Sequence, residues 1–144
     1  MHIITRGVRC ISAVFMFVCV TGLFVGARTA ASSQRGGEVK PVRVEKLPNV
    51  PGKTLTAVTV NYAPGGKTAA HHHAGSVLVY VLSGAIRSEV SGAGPAKVYK
   101  AGESFFEPPG SKHLVSENAS DTEPASLLAI FIADDGALLT TFDK

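Results

Sequence analysis

Residues 71–84 read HHHAGSVLVYVLSG: three consecutive histidines lead straight into an apolar, β-branched run that closes on Gly84. Side chains alternate faces along an extended strand, so His71 and His73 share one face while His72 takes the other. Two imidazoles on neighbouring same-face positions can chelate one divalent ion. A third ligand must then come from elsewhere, and outside the N-terminal segment the one other histidine is His113. It follows Pro109-Gly110 at the start of another strand-like run, where a turn can aim it inward. The competing reading is a polar loop at 71–73, with His113 bonded to a carbonyl. A purification tag does not fit, because the triplet is internal, short and flanked by turn and strand signals.

Outward from this stretch the chain alternates short runs rich in Val, Thr, Tyr, Phe and Ile with turn residues. Strands are expected at 42–47, 54–62, 77–83, 85–91, 96–99, 104–107, 112–117, 126–133 and 137–142. The breaks PNVPGK, APGG, SGAGP, KAGE, EPPG and ADDG each hold Gly, Pro, Asn or Asp where the chain must reverse. No apolar period of 3.6 residues appears beyond the N-terminal segment. Many short strands with tight turns, in a chain with 15 glycines and 8 prolines, predict an all-β sandwich or barrel.

The N-terminus reads differently. Arg6 and Arg9 precede the unbroken apolar run CISAVFMFVCVTGLFV at 10–25, and small residues follow in GARTAAS. That order is the pattern of a secretory signal peptide over residues 1–31, too short in its apolar part to span a bilayer comfortably. Residues 32–41 are expected to be a flexible leader and 42–144 the folded domain. Export places the mature protein in the periplasm or outside the cell, with no membrane attachment after cleavage.

Removing Arg6, Arg9 and Arg28 from the 14 basic residues leaves 11, against 11 acidic ones, so the mature net charge is near zero. The basicity belongs to the leader and gives no argument for a nucleic-acid partner. Both cysteines, Cys10 and Cys19, also lie there, so the domain has neither disulfides nor thiolate ligands. Its core must hold it together.

Two motifs make the resemblance specific. Gly66, His71, His73 and Gly84 resemble the first motif of the cupin family, a glycine, an HxH pair, a glutamate and a closing glycine. Gly102, Pro108, Gly110 and His113 resemble the second, with the usual trailing asparagine one place late at Asn118. Residues 85–101 form the short spacer of small single-domain cupins, and the likeness covers nearly all of 42–135. It implies a double-stranded β-helix jelly-roll barrel with a divalent transition metal (Fe, Mn, Ni, Cu or Zn) held inside by His71, His73 and His113. It also implies a homodimer formed through edge strands.

One position departs from that pattern. The family's glutamate should stand at position 77, and this chain has Val77, which cannot coordinate anything. Three imidazoles alone would leave the site more positive than usual and suited to an anionic ligand, or to polarising a bound carbonyl or water. Glu107, in SFFEPPG, is the candidate replacement. It is expected either to reach the metal, orient a histidine or act as a general base, or else to face solvent at a strand edge. Glu89 is read as a solvated partner of Arg87, Tyr80 and Phe105 as barrel wall, and Asn118-Ala119-Ser120 as a turn rather than a glycosylation site. Resemblance and residues together imply a dioxygenase-like enzyme acting on a small phenolic, enol or thiol substrate. The alternative is a non-catalytic barrel that captures a sugar or an aromatic acid. A structural zinc is the third reading, disfavoured because such sites take four protein ligands.

Overall fold

The structure, a computed structural model, describes residues 36–144; the expected signal peptide lies outside the described residues. Eleven strands follow in chain order: β1 (Glu38–Lys46), β2 (Lys53–Tyr62), β3 (Lys67–Thr68), β4 (His71–His73), β5 (Ser76–Ser83), β6 (Ala85–Val90), β7 (Lys97–Lys100), β8 (Ser104–Glu107), β9 (Lys112–Asn118), β10 (Ala125–Asp134) and β11 (Thr140–Phe142). Among the described residues there is no helix. One sheet runs β1-β2-β10-β5-β8; the other runs β11-β4-β9-β6-β7, with β3 also paired to β9. All the strand pairs are antiparallel, and the two sheets form a double-stranded β-helix.

Alternation drives the burial. In β5, Val77, Val79 and Val81 point into the barrel while Leu78, Tyr80 and Leu82 face out. In β10 the inward set is Ala125, Leu127, Ala129, Phe131 and Ala133. These two strands are neighbours, so their inward faces fuse with Ile86 of β6, Phe105 of β8 and Tyr62 of β2 into one core. Each fully buried aliphatic side chain of this kind contributes about 1.5–3 kcal/mol.

Several boundaries differ from the sequence reading. β1 begins at Glu38 rather than at 42, because Glu38, Val39 and Lys40 extend the ladder onto Asn61, Val60 and Thr59. The last four residues of the expected leader are therefore strand. β1 is exposed along its whole length and bulges between Pro41 and Arg43, as suits an edge strand that carries a proline. The final strand is shorter than 137–142, because a turn at Gly136 (φ 75°) delays pairing until Thr140. β3 and β4 separate at Ala69-Ala70, a break that composition does not signal. Tyr80 is a correction. It lies on the outer face, 43% exposed, because it alternates with Val79 and Val81 rather than joining the wall.

Candidate metal centre

The histidines converge because β4 and β9 are adjacent. His71 pairs directly with His113 across the ladder, and His73 lies two residues on along the same inward face. All three are buried, and their candidate ligand atoms lie within 4.8 Å of one another. His72 points away, where its Nδ1 is 3.3 Å from Asp143, which also pairs with Lys112. The sequence reading of a same-face pair with an odd residue out is what the fold displays.

Carbonyl partners set the tautomers. His71 Nδ1 donates to Ala69 O at 2.7 Å, and His73 Nδ1 donates to Leu139 O at 3.0 Å, with Thr140 Oγ1 3.2 Å away. A carbonyl can only accept, so in each neutral ring Nε2 keeps its lone pair. Burial, opposed by these carbonyl bonds and by nearby Glu107, holds both imidazoles below the ordinary histidine value and so favours the neutral, ligating form. His113 Nε2 is held by Ser88 Oγ at 2.8 Å, which leaves Nδ1 facing the cluster.

Glu107 completes the arrangement. It is the last residue of β8, where Pro108 and Pro109 remove the backbone donors needed to continue the strand. The turn through Gly110 then delivers the chain into β9 and His113. The solvent-facing alternative fails, since Glu107 is only 2% exposed. Its Oε2 lies 3.2 Å from His113 Nδ1 and 3.6 Å from His73 Nε2, yet has no hydrogen-bond partner. A buried carboxylate oxygen set against the His73 Nε2 lone pair is repulsive unless a cation or proton lies between them. The donor set and this orphaned oxygen therefore fit a divalent metal. His71, His73 and His113 are the histidines that would hold it. Of the two expectations for Glu107, the structure has the one inside the barrel, beside the histidines.

The cavity before this cluster has a volume of about 1070 Å³ and is walled largely by Val58, Val60, Val77, Val79, Leu127 and Phe131. Lys67 and Glu107 are the basic and acidic residues of its lining besides the imidazoles. Tyr62, absent from the sequence-based candidates, lines it with its hydroxyl 2.7 Å from Thr68 Oγ1 and 2.9 Å from Ser116 Oγ. Ser88, Leu139 and Thr140 were likewise not singled out from sequence. Ser88 had a signal, since alternation in AIRSEV places a polar residue inward between Ile86 and Val90. Leu139 and Thr140 had none.

Other expectations resolve plainly. Arg87 pairs with Glu117 on β9 at 2.6 Å from its Nε, not with Glu89. Asn118 is buried and donates to Ala63 O and Glu123 O while accepting from Ser120 N, so it fixes a turn and is inaccessible to glycosylation.

A histidine cluster inside a double-stranded β-helix defines a metal-binding cupin, and comparison with known proteins agrees. The chain belongs to the cupin family: the family's cupin domain matches residues 58–131. It is 34% identical over 106 residues to germin-like protein subfamily 2 member 2 of Arabidopsis thaliana, an alignment covering 69% of this chain and 47% of that protein. This chain thus spans about half the length of that curated relative. A double-stranded β-helix protein from Klebsiella pneumoniae superposes with a TM-score of 0.59 at 22% identity, over 78% of this chain and 89% of that one. An oxalate oxidase gives a TM-score of 0.60 at 25% identity, over 77% of this chain and 57% of that one.

Proposed function

We propose that the protein is an exported, metal-dependent cupin of the dioxygenase type acting on a small phenolic, enol or thiol substrate. The observation that carries this reading is the largely apolar cavity of about 1070 Å³ that ends on three buried histidines and one buried carboxylate. Such walls exclude water and accept an aromatic or aliphatic body, while the polar end receives a hydroxyl, enolate or thiolate. A bound transition metal supplies Lewis acidity there and, if it is redox-active, electron exchange with substrate and oxygen. Glu107 is the carboxylate in the cavity lining, and so the group placed to take a substrate proton. Similarity to an oxalate oxidase and a germin-like protein supports metal-dependent chemistry, whereas the apolar walls favour a larger and less charged substrate than oxalate. The N-terminal pattern of residues 1–31 supports export.

A capture barrel without turnover would use the same walls, and it is the second reading. The test is oxygen uptake by protein reconstituted with iron, manganese, nickel or copper, in the presence of a panel of phenols, enols and thiols. Consumption that vanishes in His73→Ala supports the enzyme. Saturable binding of a panel member without oxygen consumption under any metal supports the capture barrel.

A further inference from the structure

The cupin pattern places its carboxylate at position 77 on β5, and this chain places none there. Val77 and Glu107 are nevertheless direct partners in the β5–β8 ladder. Directly opposed residues of an antiparallel pair project to the same face, with Cβ atoms about 4.5–5.5 Å apart. Both point inward, Val77 at 1% and Glu107 at 2% exposure, and both line the same cavity. Val77 is flanked on its other side by Phe131 of β10, so its isopropyl group continues an apolar wall.

We propose that Glu107 is the carboxylate ligand of the metal centre, having taken on β8 the role that the family pattern assigns to position 77 on β5. This rests on the metal-binding reading of the histidines. The orphaned Oε2 is the atom that ligates, since it already sits 3.2 Å and 3.6 Å from nitrogens of His113 and His73. Oε1 is then the oxygen left for a substrate proton. The exchange keeps the ligand set at three imidazoles and one carboxylate while moving the anionic group one strand across the barrel. Val77 then supplies an apolar contact where the family pattern presents a ligand.

The test uses protein purified without a histidine tag and titrated with Mn(II), and with Co(II) for its ligand-field spectrum. Three forms are compared: wild type, Glu107→Leu and the double variant Val77→Glu/Glu107→Leu. Leucine fills a similar volume and removes a buried polar group whose Oε2 has no hydrogen-bond partner, so the metal-free single variant is expected to melt no lower than wild type. Its Mn(II) affinity is expected to fall by more than about a hundredfold, beyond the range typical of a lost outer-shell partner. Its Co(II) spectrum should change as well. The double variant restores a carboxylate to the same patch of wall, and is expected to recover most of the affinity and the wild-type Co(II) spectrum.

A Glu107→Leu protein with wild-type Mn(II) affinity, or a smaller loss with an unchanged Co(II) spectrum, overturns the proposal. So does a double variant as weak as the single one. Wild-type protein that takes up neither metal removes the metal-binding reading itself, a separate and recognisable failure.

Discussion

Ser88 Oγ lies 2.8 Å from His113 Nε2, joining β6 to the histidine-bearing strand β9 beneath the cluster. With that nitrogen engaged, His113 presents Nδ1 to Glu107 and to the other two imidazoles. Ser88 is a positioning residue, and Ser88→Ala frees the ring to rotate. Metal affinity, read by competition with a chromogenic chelator, is expected to fall about 10–100-fold. An unchanged affinity would mean that packing against Phe105, 5.9 Å away between ring centroids, orients His113 without help from Ser88.

The C-terminal strand does comparable work for the other two histidines. β11 pairs with β4, Leu139 O and Thr140 Oγ1 address His73 Nδ1, and the Phe142 ring packs 5.8 Å from His71. Deleting residues 140–144 unpairs β4 on that side and removes both the Thr140 hydroxyl and the Phe142 ring. Metal affinity is expected to drop about 10–100-fold while the rest of the barrel remains folded. Circular dichroism and metal titration together check this outcome; undiminished affinity in the truncated protein contradicts it.

Stability should follow pH in a defined direction. Burial holds His71 and His73 below the ordinary histidine value in the folded state. The unfolded chain, titrating near about 6.5, then binds protons that the folded state refuses, so stability rises with pH through that window and falls on acidification. The Tm of metal-free protein is expected to decrease as pH drops from about 7 to about 5, and bound metal should be released in the same direction. A Tm that rises over this interval would show that the imidazoles are charged in the folded protein.

The closing glycine of the first motif has a conformational reason. Gly84 sits at φ 68° between β5 and β6, and a Cβ there would lie 2.6 Å from Pro124 O and 2.8 Å from Ala125 Cβ. Gly84→Ala combines a left-handed backbone cost of about 1–2 kcal/mol with an overpacking cost of about 1–3 kcal/mol. Gly110, at φ 74°, has nothing within 4 Å of such an atom, so Gly110→Ala is expected to lose only the backbone part. Chemical denaturation midpoints of the two variants check the difference, and equal losses would contradict it.

The strands and the histidine cluster were legible because both depend on period-two alternation within single segments. Val77, Val79 and Val81 announce an inward face, and His71-His72-His73 announces a pair with an outsider. What alternation within one strand cannot supply is the neighbour across the ladder. The pairing of Val77 with Glu107, the carbonyls of Ala69 and Leu139, and the docking of Thr140 onto His73 all depend on register between segments distant in sequence. Tyr62 was missed for a related reason. Its role as a cavity residue follows from β2 lying beside β10, a pairing that no local motif encodes.

The measurement that bears most directly on the central claim is elemental analysis of the protein purified without a histidine tag, beside its His73→Ala variant. The account predicts near-stoichiometric iron, manganese, nickel, copper or zinc in the wild-type protein and its disappearance in the variant. Absence of bound metal from the wild-type protein, even after reconstitution with each of these ions, would contradict it.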